Sequence, residues 1–395
     1  MLGLPAFNPD VKTAEHAIRL IGSRVGQSTV VELETLNEMH KQAGVQALRR
    51  EDLSTSKFCD LLAGPLWDVR SLEQESKPLL FPKSARRGAK ILAGIKVLEL
   101  CRVIAGPSIG RILAEYGADV MKVTSPNLSD VPWWQVEGNF GKHATDLDLR
   151  LAEDRMTFET LLSNADVLID GYRSGALERL GYGPSRLREL ALKRGKGIVY
   201  ISESCYGPGQ FYERPGWQPI ADCVSGVAWA QGRFMGINEP VVPPFPMSDY
   251  GTGLMGAVTV LTALYQRATQ GGSFHIEVAL VKYNQLLYRL GTYPLHVQQA
   301  MRDRFAGPFF ELTHTSHTDV VSWTALEAMK RETPELFSDD ESFTETWWSD
   351  AYQAKVKVVK QVAQIEGLDT GYARATRPNG TDTPSWEGWE VEHPL

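Results

Sequence analysis

The length, composition and charge of the chain exclude several classes of protein. It has 395 residues, of which 43% are hydrophobic and 23% charged, and this composition is typical of a globular protein rather than a disordered or fibrous one. The formal net charge is −7, so we expect neither nucleic acid nor a membrane surface as a partner. A small-molecule substrate is the expected partner.

Residues 1–90 are predicted to form a helical segment that ends in a basic linker. Apolar residues recur at helical spacing over Val11–Val25. They recur again after Ser28, a good N-cap, until Gly44. The stretch Glu75–Gly88 is polar and basic and contains prolines, which is typical of a connector. We therefore expect a domain boundary near Lys90.

Residues 91–290 are predicted to form a Rossmann-like α/β domain. Short apolar runs alternate with helical patterns, which indicates a doubly wound parallel sheet covered by helices. The expected strands are Ile95–Leu100, Val120–Val123, Val167–Ile169, Ile198–Ser202 and Phe274–Leu280. One helix is expected over Ile220–Trp229. Another is expected over Tyr250–Leu264, which is too short to cross a membrane and is interpreted as buried.

The remaining residues, 291–395, show a weaker pattern and hold five of the ten tryptophans. We interpret them as a reduced second domain that wraps the surface and is anchored by aromatic side chains. The four cysteines of the chain contain no CxxC pair, and we expect free thiols. Met1–Asp10 do not resemble a secretory signal. A cytoplasmic location is therefore expected, and a peroxisomal or mitochondrial one is also compatible.

Motifs for common cofactors and nucleophiles are weak in this sequence. The G-x-G-x-x-G match that begins at Gly251 follows a proline-rich loop rather than a strand, and neither a P-loop nor a G-x-S-x-G pattern is present. His314, His317 and Asp319 lie close together, but no cysteine is nearby and the local pattern is not clearly helical. We therefore expect no metal.

A series of motifs extends over about two hundred residues, from Leu92 to about Gly291. Its segments are Leu92–Leu100, Arg102–Pro107, Leu113–Val120, Gly141–Lys142 with Leu147–Leu149, Ala165–Leu168, Gly171–Gly181, Arg214–Gly226 and Gly272–Leu280. Their order and residues resemble the family III CoA-transferases, the CaiB/BaiF group that includes the α-methylacyl-CoA racemases. The chain is interpreted as a divergent, truncated member, whose first ninety residues resemble the end of a longer first half found in extended members.

The resemblance implies a CoA-binding Rossmann-like domain, an acyl-CoA thioester as substrate and a homodimer. The positions that match the CoA site of the family are Val103, Ile104, Ala105, Lys142, Tyr172 and Arg173. Cationic Lys142 and Arg173 would meet the nucleotide phosphates, and the helix that begins near Gly106 would add a favourable dipole.

The chain departs from the family pattern at the expected catalytic positions. The resemblance implies an aspartate nucleophile where this chain has Gln218, and a racemase histidine where it has Trp217. Asp249 matches the aspartate that pairs with that histidine. Thr124 and Ser125 stand where the family usually has an Arg that binds the nucleotide.

Three functions are compatible with these departures. We favour isomerisation or epimerisation of an acyl-CoA through its α-proton, in a specialised secondary pathway, with Asp249 as the base. Asp222 is the candidate partner, because it lies four residues after Gln218 and would share its helix face. The alternatives are a CoA-transferase with a relocated aspartate nucleophile and a catalytically degenerate accessory or binding protein. Asp249 is also a candidate N-cap of the helix that starts near Tyr250.

Overall fold

The computed structural model describes residues 2–5, 7–82, 90–338, 342–363 and 365–389. The chain divides into two compact units, which we call the helical unit and the sheet unit. The helical unit comprises Met1–Gly64, Pro208–Ser248 and Leu280–Phe337, and the sheet unit comprises Pro65–Gly207, Asp249–Ala279 and Ser338–Leu395. Each unit is built from separated stretches, whereas the sequence predicted successive domains with boundaries near residues 90 and 290.

The sheet unit contains a seven-stranded sheet that is parallel except at one edge. In chain order the strands of the protein are β1 (Asp68–Glu73), β2 (Lys96–Leu100), β3 (Asp119–Thr124), β4 (His143–Asp146), β5 (Val167–Asp170), β6 (Val199–Ser204), β7 (Ser273–Ala279), β8 (Thr344–Ser349) and β9 (Ala354–Val359). The large sheet has the order β1-β7-β6-β5-β2-β3-β4, and β1 is antiparallel to β7. From β4 to β7 this is the doubly wound order of a Rossmann fold, with its topological switch point between β2 and β5. The predicted fold class is confirmed.

Helices cover both faces of the sheet. In chain order the helices of the protein are α1 (Ala14–Val25), α2 (Val30–Met39), α3 (Ala105–Glu115), α4 (Pro132–Gly138), α5 (Ala152–Asn164), α6 (Ala176–Arg179), α7 (Pro184–Arg194), α8 (Gln218–Ser225), α9 (Val227–Met235), α10 (Met247–Gln270), α11 (Leu280–Leu290), α12 (Leu295–Arg304) and α13 (Thr318–Glu332). Helices α3 and α10 share one core with the face of the sheet that carries Val97 and Ile201. Helices α5 and α7 share a second core with the face that carries Leu98 and Leu168.

Successive apolar side chains on the central strands point alternately into the two cores. Val97 and Leu98, neighbours on β2, point to opposite faces and are each 0% exposed. A strand that is buried on both faces reads as a continuous apolar run, which explains why β2, β3, β5 and β6 could be predicted from the sequence. Helix α10 confirms the prediction of a helix over Tyr250–Leu264, whose Val260 and Leu264 lie in the first core.

Three predicted elements are corrected by the structure. Asp68–Glu73 was expected in a helical segment, but it forms edge strand β1, whose polar residues are tolerated because an edge strand is only partly buried. The helix expected over Ile220–Trp229 is broken at Gly226, where a φ of 88° requires the left-handed conformation. Helix α2 is capped by Thr29 rather than Ser28, in a capping box with Glu32.

The helical unit is built from helices that belong to three separate stretches of the chain. Helix α1 confirms the first helical pattern. Helices α8 and α11 are neighbours in this unit, and α13 packs in a separate apolar cluster with Met235, Val241 and Phe309. The connector expected over Glu75–Gly88 is described only as far as Pro82, and the rest of it lies outside the described residues. Among the described residues no helix has the length and hydropathy needed to span a bilayer.

The C-terminal region contributes a hairpin and an aromatic segment to the sheet unit. Strands β8 and β9 pair antiparallel, and Trp347 of β8 is buried against Phe140 and Tyr372. Trp386 and Trp389 pack against the second core. These three contacts agree with the predicted aromatic anchors. Trp323 differs, because it lies on α13 and is 62% exposed.

Candidate functional site

The candidate site lies at the carboxyl ends of the parallel strands, beside the topological switch point. Cys101 follows β2 and Gly171 follows β5. A Cβ atom at Gly171 would stand 2.9 Å from Sγ of Cys101 and 3.4 Å from Oε2 of Glu203. Glu203 is near the end of β6, so the ends of three strands converge here. This edge is where open α/β sheets bind their ligands.

The turn between β2 and α3 has a strained backbone at Val103. Its φ is 66°, in the left-handed region that a β-branched residue rarely adopts. Ile104 then serves as the N-cap residue of α3, whose first residues are Ala105 and Gly106. Strain of this kind persists only where the surrounding structure imposes it, and it is common at ligand sites.

Helix α10 brings Asp249 to the same edge of the sheet unit. Arg267, near the end of α10, donates a hydrogen bond to the carbonyl of Gly197, just before β6. At Gly256 the helix touches β6 itself, because a Cβ there would stand 3.2 Å from Cδ1 of Ile201. The helix therefore runs antiparallel to β6, and its first turn, with Asp249, points toward the end of β6 where Glu203 lies.

The first turns of α3 and α10 are close together. A Cβ at Gly253 would stand 3.1 Å from the carbonyl oxygen of Ala105 and 2.5 Å from Cβ of Ser108. The first turns of two helices, each a positive dipole end, thus lie close to Asp249. Helix N-termini of this kind favour an anionic ligand or reaction centre.

Two further carboxyl groups at this edge have altered acidity. Burial, reinforced by the charges of Asp249 and Asp170, raises the pKa of Glu203 to about 8. Burial also raises the pKa of Asp170 to about 6, although this carboxylate accepts hydrogen bonds from the hydroxyl of Tyr200 and the amide of Tyr172. At neutral pH the site therefore holds a protonated carboxyl on β6.

A cavity of about 490 Å³ opens on the other side of the same strand ends. Its charged lining consists of Arg102, Arg150, Arg173, Arg179 and Asp148, and the rest of the lining is largely apolar. Cavities of this size hold cofactor-sized ligands. An excess of guanidinium groups over carboxylates makes this one suitable for phosphate.

Arg150 is held in place by a carboxylate at the cavity wall. Its Nε and Nη2 donate to the two oxygens of Asp148 at 2.9 and 2.7 Å. The same Asp148 accepts a bond from the side-chain amide of Asn127. These hydrogen bonds, with that of Arg150 first, lower the pKa of Asp148 to about 2. The carboxylate is thus ionised and orients the guanidinium by a bidentate contact.

The structure places the predicted CoA-binding residues in different surroundings. Tyr172 and Arg173 line the cavity. Val103, Ile104 and Ala105 do not line it, although they directly follow Arg102, which does. Two of the six predicted residues therefore line the cavity, and the CoA contacts of the others stay predictions.

Lys142 is buried away from solvent, and its role as a phosphate ligand stays a prediction. Its side chain is 0% exposed and its ammonium lies 2.6 Å from a carboxylate oxygen of Glu99. It also donates to the carbonyl of Pro107 at 2.7 Å. The resemblance alone could not show this burial, because a lysine after a glycine reads as exposed in the sequence.

Gln218 and Asp222 form a buried polar network within the helical unit. Nε2 of Gln218 donates to Oδ2 of Asp222, which confirms that these residues share a face of α8. Asn284 donates to the other oxygen at 2.9 Å, and to Ser225 at 3.0 Å. Burial raises the pKa of Asp222 to about 6. Trp217 precedes α8 and is 55% exposed.

Through these contacts the carboxyl group of Asp222 links α8 to α11. Both oxygens of Asp222 accept bonds from amides, and the residue is 2% exposed. The role of Asp222 as a catalytic partner of Asp249 stays a prediction that rests on its spacing from Gln218.

Sequence reasoning missed Glu203 and the three other arginines of the cavity, Arg102, Arg150 and Arg179. The expected strand over Ile198–Ser202 stopped one residue before Glu203. A charged residue directly after an apolar strand was the available signal, since that position faces the ligand edge of an α/β sheet.

Comparisons with known proteins agree with the fold. A family model described as CoA-transferase family III matches residues 92–308. Acetyl-coenzyme A transferase nodX of Hypoxylon pulicicidum is 34% identical over 98% of this chain and 66% of its own length. An acyl-CoA transferase of Gibberella moniliformis is 34% identical over 85% of this chain and 60% of its own. The chain thus spans about two thirds or less of these relatives.

Solved structures share the fold at low sequence identity. A CAIB/BAIF family protein from Brucella suis is 21% identical, covers 74% of this chain and 97% of its own, and has a TM-score of 0.52. Rv3272 from Mycobacterium tuberculosis is 20% identical, covers 75% of this chain and 98% of its own, and has a TM-score of 0.53.

Proposed function

The chain belongs to CoA-transferase family III, and we propose that it transfers CoA from an acyl-CoA thioester to a carboxylate, with Asp249 as the nucleophile. The observation that carries this proposal is the position of Asp249 in the first turn of α10, beside the N-terminus of α3 and the end of β6. The names of the two fungal relatives, which describe transferases, support transfer over the isomerisation that the sequence favoured.

The arginine-lined cavity is proposed to hold the nucleotide part of CoA. The guanidinium groups of Arg150, Arg173 and Arg179 supply charge for its phosphates, and Tyr172 supplies a ring surface. The missing family arginine at Thr124 and Ser125 is thereby compensated, because Arg150 lies on the same wall and is oriented by Asp148. The thioester end of the bound acyl-CoA would extend past the carboxyl ends of the strands toward Asp249.

The proposed reaction starts with the carboxylate of Asp249 attacking the thioester carbonyl. A C–O bond forms, the C–S bond breaks, and its electron pair leaves on the CoA thiolate, which yields an acyl–aspartyl anhydride. The thiolate then attacks the aspartyl carbonyl and releases the first carboxylate, so CoA is held as an aspartyl thioester. The acceptor carboxylate and the thiolate repeat these two steps in the opposite sense and restore Asp249.

The second candidate function is exchange or inversion at the α-carbon of an acyl-CoA. One observation favours it: an aspartate and a protonated carboxyl, Asp249 and Glu203, belong to the same site. A base next to an acid is the arrangement that enolisation requires. Here Asp249 takes the α-proton, and the acid stabilises the enolate oxygen. A specialised pathway and a homodimer stay predictions.

Isotope exchange distinguishes these functions. Purified protein is incubated with a panel of acyl-CoA esters and ¹³C-labelled free carboxylates in D₂O, and CoA esters are analysed by mass spectrometry. Label from the free acid in the ester indicates transfer, and deuterium at the α-carbon indicates enolisation. Hydroxylamine trapping followed by peptide mapping tests for the acylated Asp249.

Two variants complete the test. Asp249→Asn is expected to abolish label transfer, and Asp319→Asn, whose side chain is 91% exposed on α13, serves as the matched control. Neither label nor deuterium in the wild-type products, together with measurable CoA binding, would leave the accessory binding protein as the function. Full transfer by Asp249→Asn would refute the assignment of the nucleophile.

A further inference from the structure

Glu203 is an ionisable residue in a position that the architecture of the sheet makes apolar. It belongs to the face of β6 that also carries Ile201, because side chains two residues apart on a strand share a face. Ile201 is 0% exposed in the first core. A carboxyl group on this face needs a reason, because burial opposes its ionisation.

The relation of β6 to α10 directs Glu203 toward Asp249. Gly256 of α10 lies against Ile201. Asp249 precedes Gly256 by two helical turns, on the same face of the helix and about 10.5 Å along its axis. Glu203 follows Ile201 by two strand residues, about 6.7 Å in the same direction, since the helix and the strand are antiparallel. The carboxyl groups of Glu203 and Asp249 thus lie at the same end of the first core.

The other neighbours of Glu203 supply no cation among the described residues. Asp170 of β5 adds a second negative charge. Cys101, whose Sγ faces the same Gly171, is a buried thiol with a raised pKa. The residue opposite Glu203 on β7 is Val278, which is apolar and 1% exposed. A buried carboxyl group that two aspartates repel and an apolar strand flanks keeps its proton at neutral pH.

We propose that Glu203 acts as a neutral hydrogen-bond donor to the carbonyl oxygen of the thioester while Asp249 carries out the reaction. The proton stays on Glu203 throughout. Its O–H stabilises the negative charge that develops on the oxygen when Asp249 attacks the carbonyl carbon, and the same bond would stabilise an enolate. A protonated acid kept neutral by its surroundings is well suited to this role.

The inference rests on the proposed function for the identity of the ligand, so its main test does not require turnover. The probe is a ketone analogue of acetyl-CoA in which a methylene replaces the thioester sulfur, with ¹³C at the carbonyl. Difference infrared spectroscopy measures the carbonyl stretch of the bound analogue. A hydrogen bond from Glu203 lowers this frequency in the wild-type protein and in Glu203→Gln, whose amide still donates, but not in Glu203→Leu.

Turnover and its pH dependence give the second readout. Glu203→Leu is expected to lower kcat by about 10²–10³, the usual loss when one oxyanion donor is removed. Glu203→Gln is expected to remain active and to lose the decline in rate that the wild-type enzyme shows above about pH 8, where Glu203 ionises. Urea unfolding of each variant checks that the fold is kept.

Glu277→Gln is the control, because Glu277 lies on the neighbouring strand β7, on the opposite face of the sheet, paired with Arg70. Equal carbonyl frequencies in wild type, Glu203→Gln and Glu203→Leu would overturn the inference, even in an active transferase. A lowered frequency without any turnover would instead refute the proposed reaction and leave the donor role of Glu203 intact.

Discussion

Lys142 and Glu99 form an ion pair in which neither side chain is exposed to solvent, with 2.6 Å between the ammonium nitrogen and the carboxylate oxygen. Lys142 also reaches the carbonyl of Pro107 in α3. Glu99 is on β2, so the pair joins the central strand to the helix that follows it and to Lys142, which directly precedes β4. A buried pair of this kind is costly to interrupt, because the remaining charge has no partner.

Replacing Lys142 with methionine is expected to lower the free energy of unfolding by about 3–5 kcal/mol, because the buried Glu99 carboxyl would lose the cation that donates a hydrogen bond to it. The double variant Lys142→Met with Glu99→Leu should recover most of this loss. Urea unfolding followed by circular dichroism measures both. A single variant as stable as the wild type would show that the pair contributes little to the fold.

Arg150 is expected to contribute to CoA affinity through its position in the cavity. Arg150→Met should raise the Kd for CoA by about tenfold or more, because one charge-assisted contact to a phosphate is lost. Isothermal titration calorimetry at two salt concentrations measures the effect, and the variant should show a weaker salt dependence. Arg186→Met on α7 is the control, since Arg186 is exposed and pairs with Glu189. Unchanged affinity in Arg150→Met would place the phosphates elsewhere.

The strained turn at Val103 predicts opposite changes in stability and binding. Val103→Gly should raise the free energy of unfolding by about 1 kcal/mol, because glycine adopts a positive φ without steric cost. The same variant should bind CoA more weakly, because the turn loses its fixed shape. Thermal unfolding and calorimetry give the two values. A destabilised variant would indicate that packing of the valine side chain outweighs its backbone strain.

His143 stacks on Trp389 with 4.0 Å between ring centroids and an interplanar angle of 3°. Burial, followed by the charges of Arg374 and Arg377, lowers the pKa of His143 to about 4, although Asp382 opposes the shift. The unfolded chain, with a histidine pKa of about 6.5, therefore binds more protons than the folded one between these two values. Stability is thus lost as the pH falls from about 6.5 to about 4.

The corresponding prediction concerns His143→Phe, which keeps an aromatic stack and cannot be protonated. Its urea midpoint should fall less between pH 6.5 and pH 4 than that of the wild-type protein. His275, whose pKa burial also lowers to about 4, will retain part of the wild-type slope. His296→Phe, at an exposed position of α12, is the control. An unchanged slope in His143→Phe would assign the acid sensitivity to other groups.

The parts of the fold that the sequence predicted are those whose signal is local. Strands β2 and β5 are buried on both faces and read as apolar runs, and α10 is a long apolar helix. Strand β1 could not be recognised, because an edge strand with polar residues has no strong pattern and is defined by its partner β7. The grouping of separated stretches into units depends on tertiary contacts that leave no local signal.

The candidate site was predicted in part for a similar reason. Tyr172 and Arg173 were found because a motif marks them. The role of Glu203 depends on its neighbours Asp249 and Gly171, which are distant from it in sequence and lie near it at the sheet edge. The burial of Lys142 could not be predicted, because it depends on a partner, here Glu99, from another strand.

The composition of the two units affects how the chain can fold during synthesis. The helical unit needs residues from Met1–Gly64 and from Leu280–Phe337. At about 5–20 residues per second, the first stretch waits tens of seconds after leaving the ribosome for its last partner to emerge. Apolar side chains of α1 and α2 stay accessible for that time, so the segment that forms these two helices is expected to engage chaperones during synthesis.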